Sequence, residues 1–269
     1  MQGGHMKKGL ILLVLVLSFL LSGCAWTQSY DDIYAHYEDH LENNGQKYLE
    51  RINLLNDISN DALKGVVRVK KLSSNKVTNT FGSGLIFDED PVYYYVLTNH
   101  HIVYDQRIEE SVYTVYDYKH NAYSANFVAG SNLHDLAVLR IKKKAEPLRI
   151  FSFALDNPST NTHLITMGYP ESQSNTIHMG TVLDYGTVNI DVDDSIINVT
   201  FDVIVADIPV KSGSSGSAVL NDSFYLVGIV FAGNFPDDSD IADYAFMIPI
   251  VRVKEFLTEN EFKYNEVTS

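Results

Sequence analysis

Cysteine is nearly absent: Cys24 stands alone in 269 residues. A single thiol excludes an intramolecular disulfide, and no Cys/His cluster of the kind that ligates zinc is present. Positive charge is scarce as well, with 20 Lys and Arg against 34 Asp and Glu and a formal charge of −14. A surface that follows a phosphate backbone needs clustered Lys and Arg; none occurs, so nucleic acid is not an expected partner. The same acidity repels anionic lipid, so membrane attachment would have to rest on something other than surface charge. Long apolar runs are also missing. The main one, Leu10 to Leu21, is shorter than the ~20 residues that a spanning helix needs.

That short run has an informative frame. Lys7 and Lys8 follow Met6, the apolar run comes next, and Leu21-Ser22-Gly23-Cys24 closes it. Charge, apolar core and small residues in this order form a secretory signal. The closing residues resemble a bacterial lipobox, which implies cleavage before Cys24 and a diacylglycerol on its sulfur. Residues 1–23 are read as leader and lipoprotein signal peptide. The chain is then expected at the extracytoplasmic face of a bacterial cell membrane, lipid-anchored through Cys24. An uncleaved anchor helix is the alternative.

Residues 24–63 read as a helical N-terminal segment. Tyr30, Tyr34, Tyr37, Leu41, Tyr48, Ile52 and Leu55 fall three, four or seven apart among charges. From Lys64 the pattern becomes short β-branched and aromatic runs between polar turns. Six are expected at 66–69, 77–87, 92–98, 112–116, 122–129 and 136–141, and six more at 163–168, 176–185, 196–205, 217–220, 225–231 and 245–248. Their regular spacing predicts an all-β sandwich or barrel architecture. The stretch 142–159 has few strand signals and contains Pro147 and Pro158, so it divides the strands into halves at 64–145 and 146–269. Residues 251–262 predict a terminal amphipathic helix.

Three places carry chemistry. Gly213-Ser214-Ser215-Gly216-Ser217 is a small-residue turn leading into the apolar run Ala218-Val219-Leu220. A serine nucleophile needs an exposed hydroxyl and nearby backbone N–H groups for the developing oxyanion, and glycines permit the dihedrals and the close approach. Thr98-Asn99-His100-His101 follows one strand and offers an imidazole base, at His101 or its rival His100. His134-Asp135 opens another strand and offers a carboxylate; His134 is read as exposed and without a role. Ser214 and Ser217 compete with Ser215 but lack its placement, with glycine two residues before and one after. The order His, Asp, Ser is one of several in which a base, its supporting carboxylate and a nucleophile occur along a chain.

With these residues in place, the chain resembles the trypsin-like serine proteases of the chymotrypsin fold, closest in flavour to the bacterial HtrA-type and glutamyl-endopeptidase-type branches. The resemblance rests on Phe81-Gly82-Ser83-Gly84-Leu85-Ile86-Phe87, Leu97-Thr98-Asn99-His100-His101-Ile102-Val103, Asp135-Leu136-Ala137-Val138-Leu139, the Gly213–Asn221 loop, and the runs Val227-Gly228-Ile229-Val230 and Ala245-Phe246-Met247-Ile248-Pro249. It implies two six-stranded antiparallel β-barrels, with the helical segment before them and a helix after. It places the base at His101, its carboxylate at Asp135 and the nucleophile at Ser215. The oxyanion donors fall at the N–H groups of Gly213 and Ser215, and a specificity pocket at Ile208, Phe231 and Ala245.

The resemblance also implies a serine endopeptidase that forms an acyl-enzyme, without metal or cofactor, on protein or peptide substrates. A small apolar pocket predicts cleavage after small or medium aliphatic residues. The sequence departs from the family in several places, one being Ser217, where many relatives have a second glycine. Ser214 stands where trypsin-like zymogens carry an aspartate, and Phe231-Ala232-Gly233 lacks the histidine that reads glutamate in the glutamyl endopeptidases. Two other classes remain open: a catalytically silent protease-fold binding or regulatory module at the cell surface, and a protease whose loops a partner protein must order.

Overall fold

The computed structural model describes residues 60–267 apart from 74–78, 105–109, 173–175, 189, 193–194 and 198, together with positions 50, 53, 54 and 56–58. The expected signal peptide, Cys24 and most of the expected helical segment lie outside the described residues. The chain divides into the units Met1–Asn56 and Asp57–Ser269, and every described strand falls in the second.

After a single 3-10 turn, Ala62–Gly65, six strands close into a barrel: β1 (Val66–Leu72), β2 (Asn79–Glu89), β3 (Tyr93–Thr98), β4 (Val112–Tyr116), β5 (Ala122–Ser131) and β6 (Leu136–Lys142). Their order around the barrel is β1-β2-β3-β6-β5-β4, and every pairing is antiparallel. Alternation explains the inward face. In β1, Val67 and Val69 are buried while Arg68 and Lys70 turn outward. Ile86, Val96, Val115, Leu139 and Ile141 complete the interior.

The second barrel is built from β7 (His163–Gly168) and β8 (Thr176–Gly186), then, after a separate ribbon of β9 (Ile190–Val192) and β10 (Ser195–Ile197), from β11 (Val203–Ala206), β12 (Ala218–Leu220), β13 (Leu226–Asn234) and β14 (Tyr244–Pro249). It closes in the order β11-β14-β13-β12-β7-β8 around Leu164, Val182, Ile204, Val219, Val230 and Met247. Closure gives the strands of both barrels hydrogen-bonded neighbours on each side, so neither leaves an edge for another chain to pair with.

Two features differ from the sequence expectation. Residues 196–205, expected as one strand, are divided between β10 and β11. Between them Phe201 turns to pack on the His134 ring, at 6.2 Å between centroids, under the Arg252 guanidinium. The proline-bearing stretch 142–159 is a packed seam. Phe151 and Phe153 are fully buried, Phe151 N–H donates to Ile86 O at 3.0 Å, and Phe153 stacks on Tyr264 at 5.1 Å.

A one-turn helix, α1 (His100–Val103), follows β3, and α2 (Ile250–Glu259) follows β14. Helix α2 buries Ile250, Val253, Phe256 and Leu257, and its first-turn Val251 N–H donates to Asn157 Oδ1 at 3.1 Å. Among the described residues no helix is long and apolar enough to cross a membrane.

Candidate active site

Strand β3 ends where the imidazole is needed. Thr98 Oγ1 donates to Ser83 O at 2.7 Å, and Asn99 Nδ2 donates to Asp135 O at 2.9 Å. The chain then turns through α1, closed by Tyr104 N–H to His100 O at 2.7 Å. Asp135 faces this turn from the start of β6. It adopts φ +49°, a left-handed conformation that a short polar side chain tolerates better than most.

Asp135 is 2% exposed, and a carboxylate so enclosed must have partners. It has them. Its carbonyl accepts His100 N–H at 3.1 Å, Oδ1 accepts His101 N–H at 2.9 Å, and Oδ2 lies 2.7 Å from His101 Nδ1. The last contact selects the tautomer, because a carboxylate accepts and Nδ1 must therefore carry the proton. Nε2 is left as the open basic position, on a side chain that stays 20% exposed.

The rival imidazoles are occupied otherwise. His100 packs its ring on Tyr104 at 5.4 Å, and burial pushes its pKa below the usual histidine value. His134, expected to be exposed, is 9% exposed. Its Nδ1 meets Ser131 Oγ at 3.0 Å, and its ring packs between Phe201 and Phe256, so it closes the turn before Asp135 against α2. Its apolar partners are far away in sequence, which is why a local reading left it outside. His178, on β8, also has its pKa lowered by burial, with Lys211 adding to the effect.

Ser215 sits on a turn whose peptide groups are held from several sides. Ser214 N–H donates to Lys211 O at 3.0 Å, Ser217 N–H to Ser214 O at 2.9 Å, and Gly216 N–H to Val230 O at 2.8 Å. Glu171 N–H donates to Ser212 O at 2.7 Å, and Ser83 N–H to Ser215 O at 2.7 Å. A trans peptide carries its N–H opposite its carbonyl. With Ser212 O and Ser214 O both engaged, the N–H groups of Gly213 and Ser215 point the other way, and neither meets an acceptor among the described residues. Gly213 and Gly216 take φ +88° and +85°, where a side chain is strained.

Ser214 and Ser217 are buried, at 5% and 3% exposed, and Ser214 Oγ accepts Lys211 N–H at 3.1 Å. Ser215 is the half-buried serine of the three. Its Oγ donates to Phe231 O at 3.2 Å and makes no hydrogen bond to His101.

Gly216 sets how closely this turn docks on the first barrel. A Cβ there would lie 2.0 Å from Ser83 O and 2.8 Å from Thr98 Oγ1. Gly216→Ala is expected to cost about 2–4 kcal/mol, from the positive φ and the overpacking together. A lowered urea midpoint would register it, and an unchanged midpoint would show that the seam yields more easily than this geometry implies.

Of the residues expected to form a pocket, Ile208 and Ala245 are fully buried in the second barrel's core, and Phe231 is 1% exposed. Nearby, Gly233 lies against Val210 and Ala242; a Cβ at Gly233 would come within 2.7 Å of both. Ala242 N–H donates to Val210 O at 2.9 Å. Val210, Ala242 and Ser131 are residues that the sequence reading did not single out, and it named Phe231 for its side chain, not for the carbonyl that meets Ser215. Val210 and Ala242 fill space, Phe231 acts through its backbone, and the Ser131 hydroxyl serves a local turn, so none leaves a distinctive residue-type signal.

The chain matches the family model described as a trypsin-like peptidase domain over residues 82–229. A protein described as serine protease HtrA-like, from Staphylococcus epidermidis, is 26% identical over 277 residues, covering 96% of this chain and 45% of that protein. Serine protease Do-like HtrB of Bacillus subtilis is 31% identical over 190 residues, covering 64% of this chain and 40% of the relative. The chain thus spans about half the length, or less, of these curated relatives. Among solved structures, a protease from M. tuberculosis in its active form superposes with a TM-score of 0.61 at 22% identity, over 76% of this chain and 84% of that one. The HtrA-type protease AlgW with tripeptide gives 0.61 at 22%, over 78% and 64%. These structural likenesses concern the fold, two closed antiparallel barrels of six strands each. With the family model covering more than half of its residues, including His101, Asp135 and Ser215, the chain belongs to the trypsin-like peptidase family.

Proposed function

We propose that the protein is a serine endopeptidase held at the extracytoplasmic membrane face by a lipid on Cys24. It would cleave proteins or peptides through Ser215, His101 and Asp135. The observation that carries the catalytic reading is the bonding of buried Asp135 to both the backbone and the ring of His101, beside a serine turn with two unengaged N–H groups.

In this reading the Ser215 hydroxyl leaves the Phe231 carbonyl and turns to His101 Nε2. Oγ attacks the substrate carbonyl carbon, and its proton passes to Nε2. The carbonyl oxygen, now negative, takes hydrogen bonds from Gly213 N–H and Ser215 N–H. Asp135 stabilises the imidazolium without itself taking the proton. Collapse of the tetrahedral species breaks the C–N bond, and the leaving amine takes the proton from Nε2. Water then repeats the sequence on the ester, freeing the acid and restoring the hydroxyl.

The enclosure of Gly233 by Val210 and Ala242 supports a shallow pocket and cleavage after small or medium aliphatic residues. A fluorophosphonate probe and a peptide library test both claims. The wild type is expected to be labelled, Ser215→Ala to escape labelling, and the library to show aliphatic preference before the cut. Preference for Arg, Lys or Glu would overturn the pocket assignment. The anchor is tested separately: Cys24→Ser should move the protein from the membrane fraction to the soluble one, and retention would argue for an uncleaved helix.

One observation favours a second reading, a silent or partner-activated module: the resting Ser215 hydroxyl is bonded to Phe231 O. Absence of labelling in the wild type, with and without added cell-surface extract, would support it.

A further inference from the structure

Ser83 belongs to the first barrel, yet two of its polar atoms serve the second. It is fully buried in β2. Its Oγ donates to Gly213 O at 2.9 Å and accepts Tyr169 N–H at 2.8 Å. Its N–H donates to Ser215 O at 2.7 Å, and its own carbonyl accepts Thr98 Oγ1 at 2.7 Å. Side chain and backbone thus tie together the end of β3, the turn after β7 and the serine turn.

We propose that Ser83 is a positioning residue for the oxyanion site. This rests on the reading of Ser215 as nucleophile and names a determinant outside the catalytic three. The pivot of that site is Gly213, whose N–H is one of the two donors. Glycine has no side chain to bias its dihedrals, so its φ of +88° must be held from outside. It is held by pinning the carbonyl on either side of it. Glu171 N–H holds Ser212 O, and the Ser83 hydroxyl holds Gly213 O.

Both pins converge on one seam. The hydroxyl that grips Gly213 O is itself fixed by Tyr169 N–H, two residues before Glu171. Removing the hydroxyl takes one of two holds off the Gly213–Ser214 peptide, leaving Ser214 N–H on Lys211 O, and slackens the segment that secures the other flank. The peptide that carries the Gly213 N–H is then held less firmly toward the oxyanion. Space filling does not account for this arrangement, since alanine would keep the Cβ and lose only the hydroxyl's two hydrogen bonds.

The test compares full-length wild type, Ser83→Ala and Ser83→Cys, the last retaining a weak donor. Losing an oxyanion donor outright costs roughly 100- to 1000-fold in kcat. A donor left in place but no longer held should cost less, about 10- to 100-fold, with KM nearly unchanged. Ser83→Cys should fall between the other two. A peptide aldehyde, whose adduct with Ser215 carries the oxyanion, should lose affinity in the same proportion, while the matching peptide alcohol binds all three proteins alike. Thermal unfolding on the same samples separates loss of stability from loss of positioning.

A lowered Tm with kcat and aldehyde affinity intact would overturn the proposal, and so would a raised KM at constant kcat. If Ser83→Ala does not fold, Ser83→Cys decides by the same ratios. If the wild type neither hydrolyses peptide nor binds the aldehyde, the nucleophile reading itself falls and this inference falls with it.

Discussion

Ser215→Ala is expected to lower turnover by about a million-fold while leaving the fold and the ground-state affinity for peptide in place. The hydroxyl makes one hydrogen bond, to Phe231 O, so its removal strips a single partner from a carbonyl beside a half-buried position. The backbone links of the turn do not involve it: Ser83 N–H still reaches Ser215 O, and Gly216 N–H still reaches Val230 O. The loss should therefore appear in kcat, with KM and Tm close to wild type. Turnover above about one per cent of wild type would mean that another group attacks the substrate. Ser214 and Ser217 are too enclosed to take over, at 5% and 3% exposed.

Asp135→Asn should cost about four orders of magnitude in kcat, for a different reason. The amide is nearly the same size, and its oxygen can still accept His101 N–H. The backbone bonds to Asn99 and His100 also survive, since both use the Asp135 carbonyl. What changes is the group facing Nδ1. An amide NH2 offers protons where the carboxylate accepted one, so the imidazole must present Nδ1 as acceptor and carry its proton on Nε2. A base with its lone pair turned away cannot deprotonate Ser215. Proton NMR should show the His101 N–H resonance move from the Nδ1 to the Nε2 site, together with the rate loss. A variant with both the wild-type tautomer and wild-type kcat would remove Asp135 from the mechanism.

The fold was legible because alternation survives in most of the strands. Val67 and Val69 against Arg68 and Lys70 mark β1, and the run Leu136-Ala137-Val138-Leu139 marks a strand buried on both faces. Residues 196–205 misled because their β-branched composition continues across a place where Phe201 leaves to cover His134. His101 and Asp135 could be named because an imidazole and a carboxylate leave a trace in residue type, and the structure joins these two directly. Glu171 N–H, Ser83 N–H and the Phe231 carbonyl left no such trace, since any residue supplies a backbone group. His134 failed as a surface residue because its burial depends on Phe256, more than a hundred positions away.

His101 and the carboxylate bonded to its ring both ride on the first barrel, whereas Ser215 rides on the second. In the proposed mechanism, proton affinity is thereby set within one barrel and reach by how the two barrels are docked, a seam that Ser83 helps to hold. A ligand that tilted one barrel by a fraction of an ångström would leave the imidazole's electronic state untouched and change only the gap its proton must cross. Such an effector would act as a throttle, altering the rate while the pH profile stays where it was.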